Sequence, residues 1–294
     1  MAITASRRDL LHFGCGTAAT LGVSAVAGEL AAVRALAQPA PPLNNISKED
    51  LFYREDWFGE PWRKPEAAVL IHGNDESSVV WFGWVPRMGR EFRLLRPDLP
   101  GFGQSKVPAG FERSLPSLAT FIARVLDKAG VESAHIIGAK TGGAIAMQFA
   151  ADYPTRTRTL AVASGPASVI KVTNPSPIPQ RDRLGSAASK EMVEFWNNMF
   201  GTAPEEGTKG LRTALSKFDL ARDGVLQRIT APTLVITSDR SALQSVEKVR
   251  QYQVLIPKSR LAVLNSDAYH IAAANADECV TTVLAFIKET RAKT

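Results

Sequence analysis

Cysteine is nearly absent from this chain: two residues in 294, Cys15 and Cys279. At most one intrachain disulfide could form, so neither a disulfide-stapled scaffold nor a cysteine metal cluster can be built. Histidine is scarce as well, with four copies. No spacing of possible ligands matches a metal site, and no metal is expected. Lys and Arg outnumber Asp and Glu by 35 to 29, but they are dispersed, without a basic cluster or interleaved aromatics. Nucleic acid is therefore excluded as a natural partner, and the charge favours solubility with a mild preference for anionic ligands. Low-complexity tracts and repeats at a solenoid period are missing. The glycine stretch "GFGQS" lacks the lysine and flanking context of a phosphate loop. What is present, 45% hydrophobic and 22% charged residues, describes an ordinary globule with room for one large α/β domain or two small ones.

The first 37 residues have a different character. Arg7 and Arg8 in "SRRDLL" precede a mildly apolar run that ends in "ALA", Ala35 to Ala37, before "QPAPP". Glu29 and Arg34 interrupt that run, which is too weak for a stable membrane span. The order of arginine pair, apolar run and small-residue cleavage site resembles a twin-arginine export signal. The resemblance implies the twin-arginine export machinery as a partner, a periplasmic or secreted mature protein, and no stable membrane insertion after cleavage. Cleavage would lower the net charge of +6 by one and leave Cys279 alone. Residues 38–64 read as an N-terminal leader segment, rich in Pro and Asn at its start.

After this leader the chain alternates strands and helices. "AAVLIHG", "FRLLRPDL", "AHIIGA", "RTLAVASG", "PTLVITS" and "RLAVLN" are short apolar runs without alternation. Between them, Leu115, Leu118, Ile122, Val125 and Leu126 recur at helical spacing and stop at Gly130. Val280, Val283, Leu284 and Ile287 mark a closing helix. Apolar strands separated by helices predict an α/β fold with a mostly parallel central sheet covered on both faces. Residues 171–224 break the rhythm and read as a small helical cap inserted between the two parts of the core, 65–170 and 225–294.

Five motifs now stand in a familiar order: "LIHGN", "RPDLPGFGQS", "HIIGAKTGGAIAMQFAADYP", "APTLVITSDRS" and "LNSDAYHIAAANADE". Together they resemble the α/β-hydrolase fold family over about residues 65–294. The resemblance implies a nucleophile elbow of the form Gly-x-Ser-x-Gly. This chain has Gly138, Ala139, Lys140, Thr141 and Gly142. The small residues that permit the turn are kept, and Lys140 replaces the serine. The resemblance further implies backbone N–H donors of an oxyanion hole at Asn74 and Thr141, with His270 as acid or base. The usual acid position falls on Ser241. Asp239, two residues earlier, or Asp267 could orient the imidazole instead. Asp75 and Trp81, beside the oxyanion loop, are expected at the substrate pocket. Asp98 is expected to tie down its turn, and His72 to pack or hydrogen-bond; His135 has no evident partner.

Three readings of Lys140 follow. Buried under a cap at a helix N-terminus, a neutral amine could act as nucleophile or base on a carbonyl, as in imine chemistry. An acyl-lysine amide would resist hydrolysis, so direct ester cleavage by lysine is disfavoured. Kept charged, Lys140 would hold a substrate carboxylate or phosphate, or pair with Asp75 or Glu76. In the third reading chemistry is lost and a ligand-binding pocket remains. The expected ligand is a small carbonyl-containing organic molecule, with no cofactor.

Overall fold

The computed structural model describes residues 46–170 and 178–293. The export segment, the start of the leader and part of the cap insertion lie outside the described residues. Seven strands form one sheet: β1 (Tyr53–Asp56), β2 (Ala67–Ile71), β3 (Arg93–Pro97), β4 (Ala134–Ala139), β5 (Thr157–Ala163), β6 (Thr233–Ser238) and β7 (Ser259–Leu264). Their order is β1-β3-β2-β4-β5-β6-β7, and only the β1–β3 pairing is antiparallel. This is the architecture of the α/β-hydrolase fold. Strand β1 falls in the stretch read as a leader. That reading missed it because its "YRED" sequence is polar, as an edge strand permits.

The helices are α1 (Val85–Met88), α2 (Leu115–Lys128), α3 (Thr141–Asp152), α4 (Gln180–Leu184), α5 (Lys190–Gly201), α6 (Glu205–Ala214), α7 (Val246–Gln253), α8 (Ile271–Ala274) and α9 (Ala276–Arg291). Strands β2 and β4 are buried at every position, which explains their unbroken apolar sequence. On one face, α2 and α3 cover the sheet with Leu118, Ile122, Ile145 and Phe149. On the other, Trp84, Met88, Val280 and Val283 do so. Helix α2 starts where Ser114 accepts a hydrogen bond from the Ser117 N–H and stops before Gly130 at φ +66°. Helices α4, α5 and α6 occupy the insertion between β5 and β6 and lie over the strand ends that carry the candidate site.

Buried polar groups away from that site find structural partners. Asp98 accepts from the N–H groups of Ser78 (2.7 Å) and Gln104 (2.9 Å), as expected of a turn clamp. His72 accepts from Leu99 N at Nε2 (2.9 Å) and places Nδ1 at 2.7 Å from Gly73 O, which fixes a neutral tautomer. His135 bonds Thr159 and Glu66, and burial pushes its pKa down to about 4. Among the described residues no helix is long and apolar enough to cross a membrane.

Candidate active site

The turn from β4 to α3 places Lys140 at φ +52° and ψ −127°. A side chain there costs roughly 1–3 kcal/mol, so the surroundings must hold it. They do so through close backbone approach. A Cβ on Gly138 would lie 2.3 Å from Gly142 O, and one on Gly142 would lie 2.3 Å from Ile71 O. Lys140 N donates to Ala163 O at 2.9 Å, and Gly143 N donates to Lys140 O at 2.9 Å. The sequence thus keeps the tight strand-to-helix turn expected of an elbow and presents an ammonium at its tip.

Two groups meet the Lys140 ammonium. Its Nζ is ion-paired with Glu76 Oε1 and stands 3.2 Å from His270 Nε2. Glu76 also accepts from Trp196 Nε1 at Oε1 (3.1 Å) and from Gly73 N at Oε2 (2.9 Å). Both carboxyl oxygens are acceptors, so Glu76 is ionised and the shared proton sits on Lys140. Burial opposes the charge on each. It depresses Lys140 below the ordinary lysine value, against the pull of the Glu76 charge. For Glu76 the burial penalty is outweighed by the Lys140 charge and hydrogen bonds, so its carboxyl stays below its ordinary value. Burial first, then the charges of Lys140 and Arg183, hold His270 well below its ordinary value. Lys140 donates and His270 accepts, so His270 is the neutral partner, carrying its proton on Nδ1.

The structure brings together Lys140 and His270 but not the expected acid. Asp239 accepts from Ser266 N (2.8 Å) and from Arg240 Nη1 (2.6 Å) on the protein surface. Asp267 accepts from Ser186 N of the cap at 3.0 Å. His270 Nδ1 is buried without a hydrogen-bond partner among the described residues. Assigning Asp239 as the orienting acid is therefore corrected: the loop after β6 turns it toward Ser266 and Arg240. His270 is positioned through its backbone instead, whose N–H donates to Arg183 O at 2.8 Å.

The N–H groups expected to form an oxyanion hole are arranged differently. Asn74 N donates to Thr141 Oγ1 at 2.7 Å, so the hydroxyl of one expected contributor occupies the N–H of the other. Asp75, at φ +60°, does reach the pocket but is tied to the cap: Thr208 Oγ1 donates to it at 2.6 Å, and Arg212 Nη2 lies 3.6 Å away. Trp81 is buried edge-to-face against Trp84. It walls a small space behind Lys140 rather than the cavity between elbow and cap. The cavity between elbow and cap, about 380 Å³, is lined by Asn74, Lys140, Arg183, Trp196, Tyr269 and His270 among others. Its size suits a small organic molecule. No cluster of His, Cys, Asp and Glu among the described residues could hold a metal ion.

Sequence reasoning missed Trp196 and Arg183. Both sit in the cap, where helical spacing shows which residues share a face but not what that face covers. A tryptophan in the polar run "EFWNN" was the available signal for the first.

Comparison with known proteins agrees with this architecture. The model of the alpha/beta hydrolase fold family matches residues 67–182. A pimeloyl-[acyl-carrier protein] methyl ester esterase from Aeromonas hydrophila is 37% identical over 160 residues, 54% of this chain and 58% of that protein. A 2-hydroxy-6-oxo-2,4-heptadienoate hydrolase from Pseudomonas putida is 31% identical over 96 residues, 32% of this chain and 35% of that one. The chain thus matches little more than half the length of the first of these relatives, and about a third of the second. The crystal structure of an enol-lactonase from Burkholderia xenovorans LB400 superposes with a TM-score of 0.67 at 21% identity, covering 81% of this chain and 96% of that one. That likeness shows the fold.

Proposed function

We propose that this chain, which has the α/β-hydrolase fold, is an enzyme that hydrolyses small carbonyl compounds without a covalent acyl-enzyme. The observation that carries this reading is the Lys140 ammonium held between the Glu76 carboxylate and His270 Nε2 at the tip of an intact elbow. A charged amine has no lone pair, which argues against lysine attack or imine formation in this state. It can instead polarise a carbonyl. An ammonium has three N–H groups; two face Glu76 and His270, which leaves one for a substrate oxygen. The one lone pair of His270 Nε2 accepts from Lys140 in the resting protein; once that N–H turns from it to the substrate oxygen, a water bound between Nε2 and the carbonyl carbon gives its proton to His270 and its oxygen to carbon. Lys140 stabilises the resulting oxyanion in place of the occupied Asn74 N–H, and His270 then returns the proton to the leaving group.

The test is turnover of short-chain chromogenic esters and β-diketones, with borohydride trapping in parallel. Lys140→Met is expected to lower kcat/KM at least about 100-fold, the cost of losing an oxyanion donor. No borohydride adduct and no fluorophosphonate labelling should appear on the wild-type protein. An adduct on Lys140 would restore imine chemistry and overturn the water-attack reading.

A second reading, a ligand-binding protein that has lost its chemistry, draws on two observations: the occupied Asn74 N–H and the unpartnered His270 Nδ1. Turnover that vanishes in the Lys140 variant would refute it. The proposal extends to location. Arg7, Arg8 and the "ALA" site support export by the twin-arginine route to the periplasm or beyond. The mature chain is expected to begin at Gln38 and to remain full-length inside cells lacking the twin-arginine translocase. A full-length chain in the cytoplasm of export-competent cells would overturn that assignment.

A further inference from the structure

Five charged side chains line the cavity between elbow and cap: Asp75, Glu76, Lys140, Arg183 and Arg212. Four of them are matched, Glu76 with Lys140 and Asp75 with Arg212. Arg183, half-buried on α4, is the cation left over. Its Nε donates to Ile178 O at 3.0 Å, and its guanidinium carbon lies 5.9 Å from the Phe200 ring centroid. Among the described residues no carboxylate comes within ion-pair distance of it. The bond at Nε fixes the plane of the guanidinium and leaves the end that carries the two terminal nitrogens. Paired N–H groups of that kind match the two oxygens of a carboxylate.

A second group on the same helix face points to a ligand. Gln180 is three residues before Arg183, so both side chains project from one side of α4, and both line the cavity. Gln180 Oε1 is buried without a hydrogen-bond partner among the described residues. A buried acceptor left unsatisfied is costly unless a ligand completes it.

We propose that the cavity takes a small organic acid, with the guanidinium of Arg183 holding the ligand's carboxylate while its reacting carbonyl lies at Lys140 and His270. Gln180 then accepts from a hydroxyl or N–H of the same ligand. The placement of the reacting carbonyl rests on the hydrolase reading; recognition of the carboxylate does not. The field of Arg183 agrees with this assignment, since its charge acts on both Lys140 and His270. A bound anion offsets it.

Monomethyl adipate, which carries a carboxylate, and dimethyl adipate, which does not, are the probes. The wild-type enzyme is expected to prefer the monoester in kcat/KM, mainly through KM. Arg183→Gln is expected to reduce that preference about 10- to 100-fold, the worth of a charge-assisted hydrogen bond, and Arg183→Lys to keep part of it. If both esters turn over and Arg183→Gln leaves their ratio within about twofold, the carboxylate assignment fails while the hydrolase reading stands. If neither turns over, the hydrolase reading loses its support and calorimetric titration with monomethyl adipate decides the assignment. Binding weakened about tenfold or more in Arg183→Gln sustains it; equal binding, or none to the wild type, overturns it.

Discussion

Replacing Glu76 with alanine is expected to destabilise the folded protein by about 3–5 kcal/mol, the cost of leaving one partner of a buried ion pair alone. The Glu76 and Lys140 side chains are 5% and 11% exposed, so water does little to screen the orphaned ammonium. Three donors lose their acceptor at once: Lys140 Nζ, Trp196 Nε1 and Gly73 N. The elbow cannot relax to relieve this, because Gly138 and Gly142 lock its backbone against the neighbouring strand. Adding Lys140→Met to Glu76→Ala removes the unpaired charge and should recover most of the loss, since apolar replacement of a whole buried pair is often neutral. Urea unfolding of the two single variants and the double variant gives the coupling directly. A loss below about 1 kcal/mol for Glu76→Ala, typical of exposed pairs, would mean that Lys140 does not depend on Glu76 for its charge.

This pair also shows how far the sequence could be read. The elbow was legible because its requirements are steric. Small residues at positions 138, 139 and 142 allow one tight turn whatever stands at 140. The sheet was legible because buried parallel strands are unbroken apolar runs, and it failed only at polar β1. Glu76 was legible as one of two candidate partners, since Asp75 and Glu76 are adjacent in sequence. Choosing between them required the backbone: Asp75, at positive φ, turns toward Thr208 and Arg212 of the cap, which leaves Glu76 facing inward. Asp239 was misread because a loop of the same length can aim a carboxylate at either the imidazole or Ser266. Hydrogen bonding to Ser266 N, not spacing, decided the outcome. Trp196 reaches Glu76 across 120 positions of chain, and no local pattern encodes such a contact.

His270→Ala is expected to lower kcat/KM by about 100- to 10,000-fold on any ester the wild-type protein hydrolyses, the usual worth of a positioned general base. The pH profile distinguishes a base from a merely structural histidine. Under the proposed water-attack reading, catalysis needs His270 neutral and Lys140 charged. Burial and the charges of Lys140 and Arg183 hold the His270 pKa well below 6.5, so its neutral form persists as the medium acidifies. The acid limb of kcat/KM should therefore lie well below pH 6.5. The alkaline limb reports loss of the Lys140 proton and should fall below 10.5, because burial depresses that group. Any residual activity of Lys140→Met carries a further signature. That change removes the second-largest cause of the His270 depression, so the acid limb should move upward, toward 6.5. Upward movement in that variant, together with collapse in His270→Ala, identifies the imidazole as the titrating base. An acid limb at or above 6.5 in the wild type, or His270→Ala activity within about tenfold of it, would remove His270 from the mechanism. Water activation would then fall to Glu76, the one other proton acceptor in contact with Lys140 among the described residues.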